Sequence, residues 1–478
     1  MTMLRHDTRG QAIQVGAVLL LGVAVISFSG YQATVVPQQN EGVELRHAEE
    51  IGGQMTELRN AIVNSVGSDA VSSVALQLGS TYPSRAVGAN PTPPAGTLRT
   101  VGVDNPAVGL TLNNVSAEGE TADYWNGTPR TYSSGVIVYQ HTHNYHHDAP
   151  KVVYDNTVLY DQFSETNRTE TGQTMISENE LSLIAVNGSL DERGVGRASV
   201  DITTVSSSAE TIAVPVADDG DRLNVTLTTK LPRTEWRALL DSEFDTDPGP
   251  NDGDERYLRS ITQRPGPAGF YNVSFVFERG ATYRLQLSKV GLQTTGNSEE
   301  EAYLAVESGE GATVRQGLSE DLQVAVRDRF NNPVEGVTVN GSVAAGSSGN
   351  LTTNRTQTDE DGLATFAYNT SGTTATGTQQ VNFSLRSIAS THDGSTPTNA
   401  TLNVTVEATA GGGSGGGGGG ASAGGSPDND STCVQDVSAT GGSGGSSALS
   451  FDLKNQNACG SITMTDFTLI HRRTTTVT

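Results

Sequence analysis

Cysteine is nearly absent from this chain: among 478 residues there are two, Cys433 and Cys459, both near the end. A disulfide framework is therefore excluded for everything before residue 430, and any core there must hold by apolar burial alone. Lysine is almost as scarce. Only Lys151, Lys230, Lys289 and Lys454 occur among 29 cationic side chains, against 53 aspartates and glutamates, for a formal net charge of -24 and an isoelectric point near 4.6. Such a field repels nucleic acid, which is not expected as a partner. Also missing are a nucleophile elbow, a phosphate loop, a dinucleotide fingerprint and a His-Glu-x-x-His pattern, so no catalytic residue, cofactor or cofactor-binding residue is expected.

The excess of carboxylates over cations, with arginine preferred to lysine, resembles the proteins of extreme halophiles. At about 1 M salt the Debye length is roughly 3 Å, and carboxylate repulsion is screened. An ordinary acidic protein is the alternative reading.

One long stretch carries no charge. Ala12 to Tyr31 is mostly apolar, and twenty residues at 1.5 Å each span about 30 Å, the thickness of a hydrocarbon core. Arg5 and Arg9 precede it while Gln32 to Asn40 has no cation, so the expected topology is a single span with a cytoplasmic N-terminus and everything after Tyr31 external. A cleavable secretory signal is the rival, but no small-x-small site closes the run.

Instead Thr8-Arg9-Gly10-Gln11-Ala12-Ile13 places a basic residue and a glycine before it. This resembles the prepilin-peptidase site of archaeal type IV pilin-like proteins. The resemblance implies processing at Arg9, Gly10 and Gln11, with the cut after Gly10 and the apolar helix kept, free to bundle as a filament core. Tyr31 to Arg59 is also similar to the start of haloarchaeal pilin-like envelope proteins. A plain uncleaved anchor is the alternative.

Pro37 is expected to interrupt the membrane helix. Beyond it Ala48, Ile51, Met55, Leu58 and Ile62 recur at helical spacing and form one apolar stripe. Gly52-Gly53 costs up to roughly 2 kcal/mol of helix propensity, and two heptads are too short for an independent coiled coil. The stripe is expected to pack on the chain's own head.

From Val71 to Lys289 short alternating runs recur between turn residues, including Val108 to Leu112, Gly135 to Tyr139, Arg197 to Ile202, Asp221 to Thr228, Tyr271 to Phe277 and Tyr283 to Lys289. They read as antiparallel strands, interrupted by a helix over Thr234 to Phe244 with Thr234 as its N-cap. From Glu301 to Glu407 the alternation sharpens into an immunoglobulin-like sandwich pattern. Here Val326-Arg327-Asp328-Arg329-Phe330-Asn331-Asn332-Pro333-Val334-Glu335-Gly336-Val337 and Thr358-Asp359-Glu360-Asp361-Gly362-Leu363-Ala364-Thr365-Phe366 resemble the bacterial immunoglobulin-like repeats of the invasin and intimin group. That resemblance speaks to fold more than function, because such modules serve as spacers as often as binding tips.

The expected organisation is mainly β: leader 1–11, transmembrane helix 12–31, helical stalk 32–70, β-rich pilin-like head 71–300, immunoglobulin-like domain 301–407, Gly/Ser-rich linker 408–430 and a small C-terminal β segment 431–478. Outside a cell, Cys433 and Cys459 are expected to pair. Closing their loop of about 25 residues contributes on the order of 3 kcal/mol, with two buried thiols as the alternative.

Fourteen Asn-x-Ser/Thr sequons follow the apolar run, at Asn114, Asn126, Asn167, Asn187, Asn224, Asn272, Asn340, Asn350, Asn354, Asn369, Asn382, Asn399, Asn403 and Asn429. They are N-glycosylation candidates. Tyr139 to Asp148 holds four of the eight histidines. His141 and His143 share a strand face, a metal pair in principle, but no third ligand stands at a recognisable spacing, so a solvated loop is the default and no metal site is assigned. Asp245, Asp247, Asn251, Asp252 and Asp254 crowd one loop without the register of a calcium loop, and also read as solvated.

The sequence therefore points to a non-catalytic cell-surface structural or adhesive protein, held to the membrane by one helix. Other envelope or pilin-like proteins or surface glycans are its expected partners. A minor subunit of a type IV pilus-like filament is the alternative, and a metal-dependent surface hydrolase using His141 and His143 a distant one.

Overall fold

The computed structural model describes residues 8–67, 71–85, 88–245, 256–294, 299–385, 397–408, 434–440 and 450–455. Strand accounts for 45% of the chain and helix for 18%, so the mainly β class holds. Met1–Ala410 is one compact unit and Gly411–Thr478 another. In the second, Val434–Thr440 and Ser450–Asn455 pair as an antiparallel hairpin. Cys433, Cys459, Asn429 and the glycine run lie outside the described residues.

Helix α1 (Thr8–Gly30) takes Arg9, Gly10 and Gln11 into its first turn. From Ile13 to Gly30 every residue is exposed, and this helix is long and apolar enough to cross a membrane. The expected interruption at Pro37 does not occur. Tyr31–Val35 forms a π turn, and α2 (Val36–Asn64) continues from it with Pro37 in its first turn. There the missing N–H removes little, and the wider turn admits the ring.

Three sheets build the head. In the first, the edge strand Ser72–Gln77 pairs with Arg197–Ser206, which pairs with Ala281–Leu292. Ala281–Leu292 then runs parallel to Glu180–Asn187 in unbroken register from Glu180↔Arg284 to Asn187↔Gly291, a departure from the antiparallel pattern expected. The second sheet carries Gly96–Val101, Val136–His141, Lys151–Asp155 and Val158–Gln162 in that order. The third places Asn224–Thr229 between Tyr271–Phe277 and Gly109–Asn113. The helix expected at Thr234 is α3 (Arg233–Leu239). Pro232 stands at its N-cap in extended backbone, φ -72 and ψ 161, so Thr234 is already inside the helix and caps nothing.

Residues 301–407 form a two-sheet sandwich. One sheet orders Glu301–Ser308, Ser319–Asp328, Leu363–Asn369 and Asn350–Leu351; the other orders Ala312–Arg315, Asn399–Glu407, Gly377–Leu385, Thr338–Val343 and Arg355–Gln357. Alternation along these strands sends Val324, Val326, Phe366, Phe383 and Val404 into a shared core, the layering of an immunoglobulin-like module.

The module and the head are not separate bodies. Tyr303 and Phe330 belong to the head's apolar core. Tyr303 stacks on Tyr124 at 4.5 Å and its hydroxyl donates to the Asn331 side chain. The Asn331-Asn332-Pro333 turn is a peg into the head: Asn332 Nδ2 donates to Ser206 Oγ at 2.6 Å and to the Leu287 carbonyl at 3.0 Å. Asp328 holds the turn's shape by accepting from the amides of Phe330 at 2.8 Å and Asn332 at 3.0 Å.

Candidate functional site

The buried face of α2 is longer than the apolar stripe suggests. Val36, Asn40, Glu44, His47, Ile51, Met55, Leu58 and Ile62 are all buried, and their spacing of three and four keeps them on one side of the helix. Its later half packs with Val74, Leu76, Val200 and Ile202 of the first sheet and Tyr154 and Leu159 of the second. The stripe therefore packs on the head, as expected. Its earlier half is polar, and there the chemistry collects.

Glu44 is fully buried. Its carboxylate accepts the backbone amides of Asn144 at 3.0 Å, Tyr145 at 2.9 Å and His146 at 2.8 Å, and the Tyr82 hydroxyl. Burial pushes this carboxyl up, but the Tyr82 and backbone hydrogen bonds together outweigh it and leave it below the ordinary glutamate value. The histidine-rich loop is thereby fastened to the helix by a charged group with its acceptors filled. Arg59, one face round, donates to the carbonyls of Thr157 at 2.9 Å and Gly172 at 3.1 Å, tying down the Asn156-Thr157 hairpin turn, whose residues have φ 48 and 67.

Three histidines meet above this clasp. Strand Val136–His141 ends with His141 opposite Gly96. Gly96 is obligatory there, because a Cβ would sit 1.9 Å from the Leu78 carbonyl. His143 follows two residues later, its ring 3.6 Å from that of His141, and His47 from α2 lies 4.6 Å from His141 and 6.3 Å from His143, centroid to centroid. One ligand atom from each residue falls within 4.8 Å of the other two. His47 Nε2 donates to the Gln77 carbonyl at 2.8 Å. A carbonyl can only accept, so Nε2 carries the proton and Nδ1 keeps a free lone pair.

That Nδ1 and both ring nitrogens of His141 and His143 are buried without a hydrogen-bond partner; the His146 main chain approaches His143 without making a bond of normal geometry. Burial is the leading cause that lowers the pKa of all three, to about 3 for His141 and about 4 for His143. The imidazoles are neutral at neutral pH, the state that donates lone pairs. A cleft of about 750 Å³ opens beside them, lined also by His146, Asp148, Gly52 and Gly53.

His47 is the residue missed by sequence reasoning. The signal was present: it stands four residues before Ile51, so the helical stripe continues through it, and Glu44 stands three residues earlier still. The other anticipated sites are distributed rather than gathered. Of the thirteen sequon asparagines among the described residues none is buried, and Asn126, Asn187, Asn350, Asn354, Asn382 and Asn399 are exposed. Asn114 and Asn167 spend their side-chain amides on the Arg222 carbonyl and on Glu235. Asp245 is not a solvated carboxylate: it is buried and pairs with Arg259 at 3.1 Å, while Asp247, Asn251, Asp252 and Asp254 lie outside the described residues.

Residues 312–403 match the family model of the macroglobulin domain MG4, within the sandwich module. No curated protein matches the chain. Among solved structures, domains 4 and 5 of the S-layer protein SbsC align at 14% identity over 26% of this chain and 57% of that one, with a TM-score of 0.17. The Yersinia pseudotuberculosis adhesin InvE aligns at 15% identity over 43% and 58%, TM-score 0.18, and the D00-D0 domains of intimin at 11% over 30% and 74%, TM-score 0.19. The alignments thus span little more than half of the first two. Superposition at these scores carries no functional inference, and the sandwich is read from its own strand order.

Proposed function

We propose that this chain is a membrane-anchored cell-surface protein of structural or adhesive role, with its β-rich body outside the cell. The observation that carries the reading is one helical rod with two different faces. Its first half is apolar and exposed from Ile13 to Gly30, as lipid contact requires, and its second half is sewn into a β head. Arg5 and Arg9 before the span favour a cytoplasmic N-terminus, and the unburied sequons after it suit a glycosylated exterior. The charge of -24 suits an external surface in a salty medium and argues against nucleic acid as a partner. Other envelope proteins or surface glycans are the partners this reading implies.

A minor subunit of a type IV pilus-like filament is the second reading, favoured by Arg9-Gly10-Gln11 at the head of the helix. One experiment addresses both. Protease added to intact cells should remove the body, and mass spectrometry of the membrane-retained helix should begin at Gln11 for a processed pilin-like chain or at the N-terminus for a plain anchor. A body that survives until lysis reverses the topology and ends the surface reading.

A further inference from the structure

We propose that His47, His141 and His143 bind a divalent transition-metal ion of the zinc class, which pins helix α2 to the head. Three imidazoles from two distant parts of the chain offer their ligand atoms within 4.8 Å of one another, near the roughly 3.3 Å that separates ligand nitrogens around Zn–N bonds of about 2.0 Å. Packing alone does not explain the arrangement. Five ring nitrogens at this one place are buried without partners, each with its desolvation uncompensated, and an ion coordinated by three of them removes the largest part of that penalty.

The surroundings fit a ligand set. His47 has its outer nitrogen fixed by the Gln77 carbonyl, the backbone-carbonyl support that orients metal-bound histidines. The loop bearing His143 is held by Glu44 through three amides whether or not an ion is present, so the site is pre-organised. All-nitrogen ligation selects Zn²⁺, Ni²⁺ or Cu²⁺ and rejects Ca²⁺ and Mg²⁺, which take oxygen. His146 and Asp148 line the cleft that opens beside the three histidines.

The test is calorimetric titration of Zn²⁺ into the full-length chain, purified in detergent, stripped with chelator and held in chloride-free buffer. One ion per chain with a Kd of about 1 μM or tighter is expected, with no heat from Mg²⁺ or Ca²⁺. His141→Ala and His143→Ala should each weaken binding about 10-fold to 100-fold or more, while His147→Ala, at an exposed position, should leave it unchanged. Because a variant at the buried cluster can misfold, hydrogen exchange on the wild-type chain supplies a second readout: Zn²⁺ should slow exchange around His47 and residues 141–146. A wild-type Kd weaker than about 1 μM, or exchange unaltered by Zn²⁺, overturns the proposal.

Discussion

The head is gripped at two places, and each grip is organised by one buried carboxylate. Glu44 fastens the helix and Asp328 shapes the turn that pegs the sandwich module. Both are almost wholly inaccessible, 0% and 2% exposed. Yet Glu44 stays below the ordinary glutamate range, whereas burial lifts Asp328 to about 7. Three amides and a hydroxyl outweigh desolvation at Glu44. At Asp328 the hydrogen bonds from the turn and from Ser206 do not. Glu44 lies less deep than Asp328 and has one donor more, and the two differences together decide which carboxylate holds its charge.

Removing the first grip should cost most. Glu44→Ala leaves three loop amides and the Tyr82 hydroxyl without their acceptor, and about 3 kcal/mol of local stability should be lost. Hydrogen exchange should quicken at residues 144–146 and leave the 328–333 turn untouched. Acceleration at both places would show that the two grips are one cooperative unit. Asn332→Ala is the reciprocal test, with an expected loss of about 2 kcal/mol, read as faster exchange along Glu301–Ser308 and unaltered protection of α2.

The smallest effect sharpens the contrast in charge. Asp328 has a folded pKa above its unfolded value of about 3.9, so its contribution is largest at low pH and declines as pH rises from about 4 to about 7. Acidifying from about pH 7.5 to about pH 6 should strengthen the module junction by about 1 kcal/mol. Glu44 has a lowered pKa, so its contribution is present at neutral pH and is lost only as pH falls below the ordinary glutamate range. Asp155 and Glu278 are also raised, to about 6 and about 7, and slope the same way as Asp328. Comparison with Asp328→Asn isolates the module's share: if the variant melts with the same pH slope as the parent chain, Asp328 is not the group responsible.

What could be read in advance follows from the range of each signal. Alternation of period two is local, and the strands at Gly109–Asn113, Tyr271–Phe277 and Ser319–Asp328 were visible for that reason. The parallel pairing of Glu180–Asn187 with Ala281–Leu292 joins segments about a hundred residues apart, and no local pattern announces it. Pro37 misled because the rule for prolines inside helices does not cover one that follows a π turn. The sequence Asn331-Asn332-Pro333 is turn chemistry, but nothing local shows that the Asn332 amide bonds to Ser206 and Leu287 of the head. His47 was hidden for a different reason: an apolar search stops at the first polar residue, although the buried face of a helix does not.

The order of attachments along the chain matters mechanically. Ser72–Gln77, the first strand after α2, is an edge strand with a single neighbour in its sheet, the kind of element that peels from a sheet one rung at a time when its end is pulled. From Thr8 to Asn64 the rod is about 85 Å long at 1.5 Å per residue, so tension between an anchored base and a held head travels along it toward that strand. Before it arrives, Glu44 and Arg59 hand the load sideways to the 144–146 loop and the Asn156-Thr157 turn. This edge strand is thus placed behind its strain relief, and force must shear several bonds together before it can unzip any one of them.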